Sequence, residues 1–150
     1  MTDIVIVGCG IIGAAIAYDL SQIRGLAITV IDQQPPAQAA TGAALGVLMG
    51  AISQKAKGKN LHLRLSSIQT YDAWIPQLES ATGHRIPYNR QGILRLCFEG
   101  EDLAYWKRLV DIRQHQGWRL EVCDRAQLRS TYPQLNLERV IGAVYSPQDR

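Results

Sequence analysis

Ile4-Val5-Ile6-Val7-Gly8-Cys9-Gly10-Ile11-Ile12-Gly13 is the stretch on which the fold turns. Its first four residues are β-branched, with no polar alternation. That pattern predicts a strand buried on both faces, as in a parallel sheet. The glycines that follow have the spacing GxGxxG. Ala14, Ala15, Ile16, Ala17 and Leu20 then predict a helix running to about Arg24, with Gly25 as its stop. Ala27-Ile28-Thr29-Val30-Ile31 predicts a second buried strand, which ends at Asp32. Strand, glycine loop, helix, strand and acid make a βαβ unit of about thirty residues.

Each residue type suits the binding of a dinucleotide. Gly8 permits a tight turn out of the strand. Gly10 has no side chain to hold a pyrophosphate away from the backbone. Gly13 lets the helix lie close to the strand, and the free N–H groups of the helix N-terminus attract phosphate. Asp32 lies 19 residues after Gly13, where a carboxylate can accept from both hydroxyls of an adenosine ribose. A carboxylate there disfavours a 2′-phosphate and hence NADP. The spacing alone leaves FAD and NAD both open. Residues 33–40 form a polar loop containing Pro35-Pro36. Thr41-Gly42-Ala43-Ala44-Leu45-Gly46-Val47-Leu48-Met49-Gly50 then runs small and apolar. A nicotinamide domain would normally show an amphipathic crossover helix here. Small apolar residues suit backbone packed against a large flat cofactor.

The next hundred residues read as mixed helix and strand. Leu61, Leu65, Ile68, Ile75 and Leu78 predict an amphipathic helix over 60–81, bent near Pro76 and ended by Thr82-Gly83. Strands are predicted over Ile93–Phe98, Trp118–Val122 and Val140–Tyr145, and a helix over Glu101–His115. Asp124 with Gln127 resembles a capping box for a short helix ending before Pro133. The organisation expected is residues 1–58 as a Rossmann segment and 59–150 as the first part of an α+β substrate domain.

Composition narrows the function. The chain has 150 residues, is 47% hydrophobic and carries a net charge of +3. A compact chain of this size buries roughly 70% of its unfolded surface. Lys55, Lys57 and Lys59 form the one basic cluster, read as a solvated loop, and nucleic-acid binding is not expected. The apolar run from Ile4 to Ala17 lacks a preceding basic region and is broken by glycines, so neither a signal peptide nor a membrane span is expected. Cys9, Cys97 and Cys123 are odd in number and lack CxxC spacing, and His62, His84 and His115 are scattered. No disulfide framework and no metal site is expected, and a reducing, cytoplasmic setting fits. No nucleophile–base pair or paired-carboxylate constellation is visible.

Gly8–Gly13, Asp32 and Thr41–Leu48 together resemble the D-amino-acid oxidase-like flavoproteins, most closely the bacterial glycine oxidases of thiamine biosynthesis. The resemblance is specific over residues 1–50 and looser over 51–150. It implies FAD as cofactor. Gly8, Gly10 and Gly13, with the amides of Ile11 and Ile12, would hold the pyrophosphate. Asp32 and Gln33 would meet the adenosine ribose, Ala40 and Thr41 the phosphates, and Leu45, Gly46 and Val47 the flavin. Asp32 stands where the family most often has Glu, and Gly42 where Ser is common. The implied reaction moves hydride from the α-carbon of glycine or another small amine to flavin, giving an imine; no catalytic side chain is assigned. Met49 and Gly50 are expected near the substrate entrance, and Arg95 and Tyr88 are weaker substrate-domain candidates. Family chains are more than twice this length, so the expectation is an N-terminal fragment of limited stability. It would need its missing C-terminal half, or a second copy, as partner. The alternatives are a NAD-binding dehydrogenase domain and an inactive remnant or half of a split flavoprotein.

Overall fold

The computed structural model describes residues 2–150. The chain divides into two compact units between Gly46 and Val47. Residues 47–58, assigned from sequence to the first segment, thus fold with the second.

In the first unit, β1 (Thr2–Val7) and β2 (Leu26–Ile31) pair in parallel, from Thr2 opposite Leu26 to Val7 opposite Ile31. Helix α1 (Ile11–Ser21) connects them. The Gly8 amide continues the ladder to the Ile31 carbonyl at 2.7 Å. Gly13 is where helix and strand come closest: a Cβ there would collide with the Gly8 carbonyl oxygen and lie 3.4 Å from Ile6 Cγ2. The expectation of strands buried on both faces is corrected. Ile4, Ile6, Ile28 and Val30 are half-buried, whereas Val5 is 61% and Val7 82% exposed. The reason is that β1 and β2 form a two-stranded sheet among the described residues, and α1 shields only the side of the alternation that carries Ile6. Helix α1 also ends at Ser21, not near Arg24. The Ser21 hydroxyl caps the Tyr18 carbonyl at 2.7 Å, and Gln22 and Ile23 bond back three residues in tight turns. Gly25, at φ +84°, instead turns the chain into β2. Residues Ala40–Ala43 form the single turn α2.

The second unit begins at Val47. Helix α3 (Lys59–Thr82) buries Leu61, Ile68 and Ile75 on one face, holds Pro76 within its length, and ends on Gly83 in the left-handed region. β3 (Ile93–Phe98), α4 (Leu103–His115), β4 (Glu121–Cys123), α5 (Arg125–Thr131) and β5 (Val140–Ser146) follow. The sheet is antiparallel, in the order β3-β5-β4. Central β5 sends successive residues to opposite faces. Val144 joins a core of Trp106, Leu109, Trp118, Leu120, Ile68, Ala51 and Ile52, while Ala143 joins a smaller cluster with Leu128, Leu137 and Val140.

Two boundaries differ from expectation for local reasons. α4 starts at Leu103 because Asp102 is its N-cap, accepting from the Tyr105 amide at 3.0 Å. Glu101 is used otherwise, accepting from the Phe98 amide and from Arg95. β4 starts only at Glu121. The Trp118 amide is spent on the Arg113 carbonyl and the Arg119 amide on Gln148, so neither joins the ladder. The capping box at α5 is present in both directions, Gln127 amide to Asp124 at 2.8 Å and Asp124 amide to Gln127 at 2.9 Å.

Two substitutions test this account in denaturant melts. Asp124→Ala is expected to cost about 1 kcal/mol through the lost cap. Helical Gly→Ala ordinarily stabilises by about 1 kcal/mol. Gly13→Ala is expected to have the opposite sign, costing about 1–3 kcal/mol through overpacking; a gain in stability would refute the close approach to Gly8.

Candidate functional site

The glycine loop of the first unit is braced by two side chains from later in the chain. The Asp32 carboxylate, at the end of β2, accepts from the Cys9 amide at 2.6 Å with Oδ2 and from the Gln34 amide at 3.0 Å with Oδ1. It is an exposed group whose pKa is held below the ordinary carboxylate value, first by the Cys9 N–H and then by that of Gln34. A carboxylate has about four acceptor positions, so Asp32 retains capacity for further donors. Thr41, in α2, accepts from the Ile11 amide at 2.9 Å. Its hydroxyl keeps its own proton to donate.

The N-terminus of α1 is otherwise open. Gly10 is its cap residue and supplies no side-chain bond. The first intrahelical bond runs from Ala14 N–H to Gly10 C=O at 2.9 Å. Among the described residues the Ile12 and Gly13 amides therefore have no acceptor, as expected of a helix start awaiting an anion. A Cβ on Gly10 would stand 3.0 Å from the Thr41 hydroxyl oxygen, closing the space beside that hydroxyl. Gln33, Ala40 and Gly46 are exposed, and Leu45 is 91% exposed. An open helix start, a glycine with no Cβ beside a hydroxyl and a carboxylate with spare acceptor capacity fit the diphosphate and ribose of a dinucleotide.

Sequence reasoning missed two features. Asp32 was assigned to a ligand, yet it also ties the glycine loop to the segment after β2. Gly42 lies so close to residue 37 that a Cβ there would collide with the Ala37 carbonyl oxygen. Ala37 itself sits at φ +64° and donates to the Cys9 carbonyl at 3.1 Å. No local pattern announces either contact.

In the second unit, Val47 and Met49 line a hollow of about 460 Å³ with Leu63, Arg64, Ser67 and Tyr71. Gly50 is buried, and a Cβ there would press at 2.9 Å on Leu65 and Ile68. Arg95 pairs with Glu101 at 2.6 Å and lies over the Trp106 ring at 4.9 Å. Tyr88 faces the guanidinium groups of Arg90 and Arg150. Burial, and then the Asp72 charge, raise its pKa. Lys55, Lys57 and Lys59 are all exposed. No group of acidic, His and Cys side chains suited to a metal ion occurs among the described residues, and no helix among them is long and apolar enough to cross a membrane.

Comparison with known proteins gives these features their setting. The chain belongs to the DAO family of FAD dependent oxidoreductases, whose family model matches residues 3–150. It is 36% identical to the bifunctional protein ThiO/ThiG of Synechocystis sp., over 99% of this chain and 21% of that protein. Identity to the glycine oxidase of Geobacillus kaustophilus is 28%, over 98% of this chain and 39% of the other. The crystal structure of glycine oxidase from Bacillus cereus superposes with a TM-score of 0.83 at 28% identity, covering 99% of this chain and 39% of that one. The chain thus spans between about a fifth and two fifths of the length of these relatives.

The Asp32 bonds set a pH dependence. Its folded pKa is depressed, so its contribution is present above the unfolded value of about 3.9 and is lost as pH falls through the folded value. A carboxyl NMR titration is expected to give a midpoint below about 3.9, with the Cys9 amide resonance moving in step. A midpoint at or above that value refutes the bracing role.

Proposed function

We propose that this chain supplies the FAD-binding part of an oxidoreductase that oxidises the amine of glycine or another small amino acid. The observation that carries this reading is the open start of α1, with two unclaimed amides, in a chain matched by an FAD dependent family over residues 3–150. The family favours FAD over NAD as the dinucleotide.

In this reading Gly8, Gly10 and Gly13 bring backbone up to the pyrophosphate, which the Ile12 and Gly13 amides bind. The Ile11 amide is held by Thr41, so Ile11 acts by fixing the helix start while the Thr41 hydroxyl, beside Ala40, donates to phosphate. Asp32 and Gln33 take the adenosine ribose. Leu45, Gly46 and Val47 lie against the flavin. The chemistry supplied by the bound flavin is acceptance of a hydride from the α-carbon of the amine, leaving an imine. The chain's own part is to bind and orient, and that needs no side-chain nucleophile. The substrate would be a small amino acid or amine. Cytoplasmic location is part of the same reading, supported by Cys9, Cys97 and Cys123 all being free thiols.

The test is the visible spectrum of the purified protein after incubation with FAD, with the released cofactor identified after denaturation. Retained FAD, not displaced by NAD and bleached by glycine without oxygen, is the expected result. Stabilisation by NAD with no flavin retained would overturn the reading.

A further inference from the structure

Among the described residues, Ala37 is the one residue other than glycine with a left-handed backbone, at φ +64°. A Cβ is disfavoured in that conformation because it crowds the following carbonyl oxygen. An alanine persists there only where its surroundings hold it. Two contacts do so. The Ala37 N–H donates to the Cys9 carbonyl at 3.1 Å. The Ala37 carbonyl faces Gly42 so closely that a Cβ on residue 42 would collide with it.

Cys9 is thereby gripped at both of its backbone groups, since its N–H goes to the Asp32 carboxylate at 2.6 Å. Asp32 also takes the Gln34 N–H, at 3.0 Å. Residues 32–37 thus bridge the middle of the glycine loop, with Asp32 at one end and Ala37 at the other. Pro35 and Pro36 stiffen the span between them. The turn at Ala37 decides where the chain goes next. It brings α2 back against residue 37, and Thr41, the neighbour of Gly42, meets the Ile11 N–H at 2.9 Å. An extended or right-handed backbone at 37 would aim its N–H and C=O elsewhere, so the bond to Cys9 and the seat of Gly42 could not both survive. All of these contacts lie within the first unit.

We propose that Ala37 is a positioning residue for the phosphate end of the dinucleotide site: its left-handed turn seats residues 37–43 on Cys9 and so sets Thr41 on the start of α1. The proposal rests on the functional reading above, in which that helix start and the Thr41 hydroxyl meet phosphate.

The experiment compares wild type, Ala37→Gly, Ala37→Val, Thr41→Val and the double variant Ala37→Val/Thr41→Val. Exchange of the Ile11 amide without ligand, the FAD dissociation constant and the melting point are measured. A β-branched residue is a poor occupant of the left-handed region. Ala37→Val is therefore expected to speed Ile11 exchange and weaken FAD roughly five- to tenfold, the worth of about one hydrogen bond. Thr41→Val is expected to do the same. If Ala37 acts through Thr41, the double variant binds FAD within about twofold of Thr41→Val alone. Glycine accepts the turn without a Cβ, so Ala37→Gly is expected to melt higher and to hold FAD as wild type does. Losses that multiply in the double variant overturn the proposal, because Ala37 then acts on stability independently of Thr41. So does Ala37→Gly weakening FAD as much as Ala37→Val. If Ala37→Val does not fold, Thr41→Val with Ile11 exchange and FAD affinity unchanged overturns it equally. Wild type that retains no FAD overturns the functional reading and this proposal together. Wild type and Ala37→Val binding FAD alike overturn this proposal alone.

Discussion

Irregular backbone in a dry core is the constraint around which the second unit is arranged. Residues 50–52 lie beneath α3 and beside Trp106 and Trp118, where water cannot satisfy their amides. An unpaired buried amide costs about 1–3 kcal/mol, and there are three in a row. Asp149 resolves all three with one side chain. Its own charge is tolerable there because three N–H groups and the nearby Arg113 surround it. Burial lowers the Arg113 pKa, and the Asp149 charge works against that fall. Remove either partner and the other becomes a buried charge with less to hold it, which is the expensive way to break such a pair.

The first unit is organised on a different principle. There the governing contact is the absence of an atom: Gly13 has no Cβ, so α1 can lie on β1 at the level of the Gly8 carbonyl. That approach aims the start of α1 out of the end of β1. Asp32 and Thr41 then each spend one acceptor position on the loop, one at Cys9 and one at Ile11. The loop is held from outside while the Ile12 and Gly13 amides stay open. The result is a surface built mostly from main chain, in which apolar residues such as Ile12, 74% exposed, stand.

What was legible in the sequence was local. The GxGxxG turn, the acid at the end of β2, the Asp124–Gln127 box and the periodicity of α3 all act within a few residues or one element, so they leave a pattern. The strip 93–98 was legible because a mostly apolar run of strand length follows the turn signal Gln91-Gly92. Trp118 and Arg119 were misread as strand because their alternation is right but their amides are bonded to Arg113 and Gln148, one on α4 and one beyond β5. Exposure of Val5 and Val7 was not legible either, since a β-branched run records a preference for burial and not the number of strands beside it. Asp149 and Arg113 were invisible in the same way. A lone acid in Ser146-Pro147-Gln148-Asp149 has no pattern, and an arginine on an amphipathic helix reads as solvent-facing. Their importance exists only after long-range closure.

Such closure imposes an order in time. On the ribosome, residues 50–52 emerge about a hundred residues ahead of Asp149. At about 5–20 residues per second, the strip waits roughly 5–20 s for the carboxylate that completes it. During that interval Ala51 and Ile52 are attached to a nascent chain whose α3, α4 and sheet can form, but whose innermost loop has no acceptor for its amides. Residues 149 and 150 thus seal the first residues of the unit, and vectorial synthesis leaves that core open until Asp149 arrives.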